Sequence, residues 1–136
     1  VGGVCGVPHG TCMSILLPYG LEYNIKKVPG YISDLLLPLA GETVYKAVNP
    51  EERPRKVIEH IRGMNEELHK ATGGRHFRCL KEITDREGRP MVPRETLPAI
   101  AETAMGDGSI LYNPEELSYN EALKVLEAAW DGFCGF

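Results

Sequence analysis

Apolar residues recur along most of the chain at helical spacing, and proline and glycine mark where the predicted helices begin and end. The first predicted helix begins at Pro8 and runs to about residue 26. It is apolar on nearly all sides, which indicates that it is buried among other helices. Pro18 lies inside it and removes one backbone hydrogen bond, so we expect a kink there.

A second helix is predicted to begin at Pro29 and to stop at Gly41, with an irregular last turn because Pro38 lies within it. Its apolar positions follow the spacing of a single buried face. They are Ile32, Leu35, Leu36, Leu39 and Ala40.

The third predicted helix is the longest, with Asn49 as its N-cap and Pro50 as its first residue. Gly73-Gly74 is expected to end it. Apolar residues spaced alternately by four and three positions indicate that it packs lengthwise against its neighbours. They are Val57, Ile61, Met64, Leu68 and Ala71.

The remainder of the chain predicts two more helices after a polar segment, residues 75–92, which reads as a small hairpin or a loop around a turn at residues 85–88. The fourth helix runs from Thr96 to about Met105, and the fifth begins with a capping box at residues 118–121 and ends at Asp131-Gly132. The sequence therefore predicts an all-α bundle of about five helices with at most one minor β-hairpin. Such bundles hold metals and cofactors between facing helices.

Length and composition fit one globular domain over residues 1–136, with a mass of 15.0 kDa, 43% hydrophobic and 25% charged residues. The net charge is −4 and no basic stripe is present, so nucleic acid is not an expected partner. No apolar run approaches the ~20 residues of a membrane span. The first residues lack both an initiator methionine and the features of a signal peptide, so the chain reads as a fragment.

The four cysteines are Cys5, Cys12, Cys79 and Cys134, and they form no CxxC pair. This usage favours reduced thiols and a cytoplasmic protein.

His9 lies at the start of a buried helix, where the helix dipole favours a neutral imidazole that is competent to bind a metal, but a lone histidine at such a position more often has a structural role. Cys5 and Cys12 lie close to it in sequence, but a closed zinc site needs a fourth ligand that is not identified. A catalytic site needs about three protein ligands. The glycines at positions 2, 3 and 6 follow no predicted strand and do not have the GxGxxG spacing, so they predict no dinucleotide site.

A second cluster, His69, His76 and Cys79, fits no zinc spacing and reads as exposed residues near a helix end. His60 reads as a surface histidine, and no GxSxG motif supports a nucleophilic serine.

Two stretches carry a family resemblance, namely VPHGTCMSILLPYGLEYN (7–24) and LPAIAETAMGDGSILYNPEELSYNEALKVLEAAW (97–130). The first resembles the "PHG…LLP…EYN" segment of iron-containing (group III) alcohol dehydrogenases, and the second resembles the closing segment of that family. Tyr19 stands where many relatives carry histidine, and Gly20 replaces the usual aliphatic residue.

The resemblance implies a dehydroquinate synthase-like, helical C-terminal domain of an NAD(P)-dependent enzyme that interconverts alcohols and aldehydes or ketones. It implies Fe²⁺, or Zn²⁺ in some members, held by one aspartate and three histidines, of which His9 matches the last. The other ligands and the nucleotide-binding domain, which binds NAD or NADP, would precede this segment, and Asn24 would anchor the far end of the His9 helix. On this view the chain contributes one metal ligand and exposes an apolar surface where the missing domain packs.

A hypothesis of another class is a free-standing helical module that catalyses nothing and binds a partner or copies of itself. The absence of further metal ligands favours it for the isolated polypeptide. The expected partners are thus a small alcohol or aldehyde and an N-terminal nucleotide-binding domain, or else a homo-oligomer, with no nucleic acid and no membrane.

Overall fold

The computed structural model describes residues 1–132, which form seven α-helices and no β-strand. The all-α prediction is confirmed. The helices are α1 (Gly2–Cys5), α2 (His9–Asn24), α3 (Pro29–Asp34), α4 (Leu36–Ala47), α5 (Arg53–Ala71), α6 (Leu97–Met105) and α7 (Tyr119–Asp131). Short 3₁₀ turns lie at Leu80–Glu82, Arg94–Thr96 and Gly108–Tyr112. None of the helices in this part of the chain is long and apolar enough to cross a bilayer.

The predicted second helix is two helices, and prolines explain where the chain breaks. Pro38 has no N–H to donate to the carbonyl of Asp34, the residue at which α3 ends. Gly41, the predicted stop, has φ 84° and ψ 167°, but the helix resumes after it and α4 reaches Ala47. Together with the one-turn α1, this split accounts for seven helices where the pattern predicts five.

The predicted start of the long helix at Asn49-Pro50 was wrong, because α5 begins at Arg53. A helix that began at Pro50 would require an N–H at position 54, and Pro54 has none. The chain instead makes a turn in which the Glu52 N–H donates to the Asn49 carbonyl, and Pro54 falls within the first turn of α5. The other end was predicted correctly, since Gly73 and Gly74 follow α5 with positive φ.

The segment before α6 contains no strand among the described residues, only one antiparallel bridge between Thr84 and Pro90. Asp85 closes the turn by accepting the backbone N–H groups of Glu87 and Arg89. These bonds, that from Arg89 first, lower the pKa of the Asp85 carboxyl. The hairpin is therefore a tight turn and not a sheet.

The buried side chains form two clusters, and residues of α2 pack against both. The larger joins α2, α6, α7 and the segment 79–92, and it includes Ile15, Leu80, Ile83, Leu97 and Ile100. The smaller joins α3, α4 and α5 through Ile32, Leu36, Val57 and Ile61. Helix α2 contacts both α5 and α7, as its all-round apolar sequence predicts.

The capping box of α7 is confirmed. The Glu121 N–H donates to Ser118 Oγ, and the Ser118 N–H donates to the Glu121 carboxylate at 2.9 Å. At the other end Gly132 adopts the left-handed conformation, and its N–H donates to the Ala128 carbonyl. The Trp130 indole N–H donates to the Val92 carbonyl at 2.9 Å, which ties α7 to the segment before α6.

Candidate functional site

His9 is the first residue of α2, and Pro8 is its N-cap with φ −55° and ψ 138°. From the sequence, Pro8 is predicted to be the first residue of the helix, one position further in than the structure has it. The difference is a single residue, because an extended ψ at Pro8 puts the helical turn after it. The first intrahelical bond runs from the Cys12 N–H to the Pro8 carbonyl.

The residues flanking His9 hold the start of α2 in place. Val7 is buried, and the buried Cys12 thiol donates a hydrogen bond to the Val7 carbonyl at 3.6 Å. Gly6, with φ 68°, ends α1 and turns the chain toward α2. The His9 side chain is thus carried on an anchored backbone.

The His9 imidazole itself is exposed, and among the described residues it has neither a hydrogen-bond partner nor an ion-pair partner. Both ring nitrogens are therefore available to an incoming group. Met13 and Leu17 follow at intervals of four residues, so the three side chains share one face of α2. Met13 is 46% and Leu17 42% exposed, so this face of α2 is only partly covered by residues 1–132.

The described residues do not complete a metal site around His9. Nowhere in residues 1–132 do three His, Cys, Asp or Glu side chains come together in a way that could hold a metal ion. Cys12 faces Val7, and Cys5 lies 3.8 Å from the Thr96 hydroxyl. The arrangement fits one ligand of a shared site and does not fit a whole site.

The second histidine cluster serves structure instead of metal binding. His69 Nδ1 donates to the His76 carbonyl at 2.7 Å, and His76 Nε2 lies 3.0 Å from Asn65 Oδ1. Cys79 is buried, and burial raises the pKa of its thiol. Its sulfur stays protonated at neutral pH and is a poor nucleophile. Cys5, Cys12 and Cys79 are free thiols, as predicted, and Cys134 lies outside the described residues.

The far end of α2 is anchored by Asn24, as the family resemblance implies. Its Nδ2 donates to Asn113 Oδ1 at 2.9 Å, and its Oδ1 accepts the Glu115 N–H. Tyr23 adds a hydrogen bond from its hydroxyl to the Glu116 carbonyl. Tyr19 is buried, with the Arg62 guanidinium 5.1 Å from its ring centroid.

A groove with an almost entirely apolar lining lies between α2, α4 and α5 and is continuous with the His9 face through Leu17. Met64 and Leu68 of α5 are 43% and 44% exposed along it. Sequence periodicity placed both in a buried seam, and this was wrong because α2 and α4 leave that side of α5 open. We call this surface the α2–α5 groove; its other apolar residues are Leu21, Leu35, Pro38, Leu39 and Ile61.

Because exposed apolar surface drives association, the 136-residue chain is expected to form oligomers whose population grows with concentration. Light scattering after gel filtration measures this. Leu68→Lys in the groove should shift the chain toward monomer, whereas Leu111→Lys, at an exposed apolar residue on the 3₁₀ turn Gly108–Tyr112, should not. A monomer at every concentration tested would contradict the expectation.

The geometry defines an all-α domain with an exposed histidine at the start of α2. A model of the Fe-containing alcohol dehydrogenase family, C-terminal, matches residues 1–130. The chain belongs to this family.

Three individual relatives are consistent with membership of this family. The chain is 29% identical to an NADPH-dependent butanol dehydrogenase of Clostridium saccharobutylicum over 96% of its length. It is 24% identical to alcohol dehydrogenase 4 of Saccharomyces cerevisiae over 96%, and 27% identical to a sulfoacetaldehyde reductase of Bilophila wadsworthia over 93%. The matched region spans 30%, 29% and 30% of these relatives, respectively, so the chain corresponds to under a third of their length.

Proposed function

We propose that this chain is the helical C-terminal part of an iron-dependent, NAD(P)-linked alcohol dehydrogenase that interconverts alcohols and aldehydes or ketones. The observation that carries the proposal is the His9 imidazole, exposed and without a partner in residues 1–132, at the start of a helix in a chain of this family. The named activities of the relatives, butanol dehydrogenase and sulfoacetaldehyde reductase, support a small alcohol or aldehyde as substrate.

In this proposal one imidazole nitrogen of His9 binds the metal. The remaining ligands come from a nucleotide-binding part that precedes the helical part. When bound, Fe²⁺ or Zn²⁺ would supply Lewis acidity toward the substrate oxygen, and NAD or NADP would exchange the hydride. The role of this chain is to hold His9 in a fixed direction. Pro8 fixes φ before it, and the Cys12 thiol tethers the start of the helix.

The same proposal assigns a partner to the exposed face of α2. Met13 and Leu17 lie beside His9 and continue into the α2–α5 groove. A nucleotide-binding part that covers this face would bury apolar side chains and enclose His9 in one step. Enclosure strengthens electrostatic interactions at a metal because it removes water.

The 136-residue chain alone is expected to show no alcohol-dependent reduction of NAD⁺ or NADP⁺ and at most weak binding of Fe²⁺ or Zn²⁺, because a single imidazole is not a site. Absorbance at the nicotinamide band and calorimetric metal titration measure the two properties. Turnover by the chain alone, abolished by His9→Ala, would contradict a site shared with another part. Metal binding and turnover in the complete protein that do not depend on His9 would favour the non-catalytic module.

A further inference from the structure

Pro18 lies in the middle of α2, and its lack of an N–H leaves a specific carbonyl without its helical donor. In an α-helix the N–H of residue 18 would donate to the carbonyl of residue 14. The proline ring also presses against that carbonyl and turns it away from the helix axis. Ser14 O is therefore the acceptor that the helix itself cannot satisfy, and Ser14 is half-buried.

Asn65 of α5 supplies the missing donor from outside the helix. Its Nδ2 donates to Ser14 O at 2.8 Å. The bond spans 51 positions of sequence and joins α2, four residues before Pro18, to α5, the longest helix. Ser14 lies five residues after His9, which is about 7.5 Å along a helix.

The direction of the Asn65 amide is fixed by the Ser14 carbonyl, which only accepts, and His76 contacts the other end of the amide. His76 Nε2 lies 3.0 Å from Asn65 Oδ1, an oxygen that only accepts, so Nε2 carries the hydrogen. A reversed amide would set the amide oxygen against the Ser14 carbonyl oxygen. His76 in turn is held at the end of α5, since its N–H donates to Thr72 Oγ1 and its carbonyl accepts from His69 Nδ1.

We propose that Asn65, which His76 contacts from its other side, is a positioning residue that replaces the hydrogen bond lost at Pro18 and so sets the direction of the part of α2 that carries His9. The consequence for metal binding rests on the proposed function. The hydrogen bond and its effect on the helix do not.

A double-mutant cycle between positions 65 and 18 tests the proposal. Asn65→Asp keeps the shape and the acceptor facing His76 but sets a carboxylate oxygen against Ser14 O. Pro18→Ala restores the N–H that can satisfy Ser14 O within the helix. In urea unfolding of the 136-residue chain, Asn65→Asp should raise the equilibrium constant for unfolding about tenfold, because it removes a part-buried hydrogen bond and sets a carboxylate against the Ser14 carbonyl. In the Pro18→Ala background the same change should raise it by a clearly smaller factor, because Ser14 O then accepts the N–H of residue 18, and the cycle subtracts the packing lost at position 18.

Asn120→Asp, at an exposed residue of α7, introduces the same charge elsewhere and should not couple to Pro18→Ala. If Asn65→Asp does not fold, recovery of folding in the double variant supports the proposal and failure to recover overturns it. Equal effects of Asn65→Asp in both backgrounds also overturn it.

The NMR signals of the His9 amide and imidazole distinguish an effect on the position of His9 from an effect on the stability of the chain. They should shift in Asn65→Asp and return in the double variant. Coupled stabilities with unmoved His9 signals would overturn the positioning role. Neither readout uses a metal, so a failure of His9 to bind metal would overturn the proposed function and leave this result standing.

Discussion

Replacing His9 by alanine is expected, on the proposed function, to lower the affinity of the complete protein for Fe²⁺ or Zn²⁺ by at least about 100-fold. Loss of a residue that merely orients a metal ligand costs about 10–100-fold, and loss of a ligand itself should cost no less. Alcohol oxidation should fall with metal occupancy. Metal content by mass spectrometry and turnover at a fixed, subsaturating metal concentration measure the two effects.

The same substitution should leave the fold intact. His9 is exposed and has no partner within residues 1–132, so its truncation removes no internal contact. Substitutions at such positions usually change stability by no more than about 0.5 kcal/mol. His60→Ala, at a histidine in the middle of α5, is the matched control and should leave both metal content and turnover unchanged. Undiminished metal affinity in His9→Ala would remove His9 from the proposed site.

Local chemistry made several parts of the fold predictable from sequence. The capping box at Ser118 and Glu121 needs only neighbouring residues, and the positive φ of Gly73, Gly74 and Gly132 follows from their place after helical patterns. The start of α7 and the ends of α5 and α7 were predicted correctly. The metal-ligand role of His9 was predicted from a family resemblance, and it stays a prediction.

Prolines limited the accuracy of helix boundaries. Asn49-Pro50 and Arg53-Pro54 both look like helix starts, and the choice depends on whether an N–H is needed at position 54. That test can be made from sequence alone. The same test identifies the break at Asp34, four residues before Pro38. Checking Pro54 and Pro38 against the carbonyl four residues earlier identifies both boundaries, whereas Pro18 fails the same check and α2 continues through it.

Contacts between distant segments could not be predicted in this way. Sequence places Asn65 on a helix and His76 in a loop, but nothing local says that they meet each other and the carbonyl of Ser14. The exposure of Met64 and Leu68 is a similar case, because helical periodicity identifies an apolar face without saying whether another element covers it. Tertiary packing decides both the contacts of Asn65 and the exposure of Met64 and Leu68.

Gly132 joins the end of α7 to the buried segment at Cys79, and the contact is too close for a larger residue. A Cβ at position 132 would lie 2.9 Å from the Cβ of Cys79 and 3.2 Å from its sulfur. Cys79 is 3% exposed and precedes the fully buried Leu80, so the Cys79 side of the contact has little room to move. Gly132 also has φ 72°, which side chains disfavour.

Gly132→Ala is therefore expected to lower the free energy of unfolding by about 2–5 kcal/mol, of which about 1–2 kcal/mol comes from the left-handed backbone and the rest from overlap with Cys79. Gly73→Ala separates the two contributions. Gly73 has φ 60° but open space around its Cα, so it should lose only the backbone part. Urea unfolding of both variants measures the difference. Equal losses would show that the contact between α7 and Cys79 tolerates a methyl group, and that backbone conformation alone selects glycine at the end of α7.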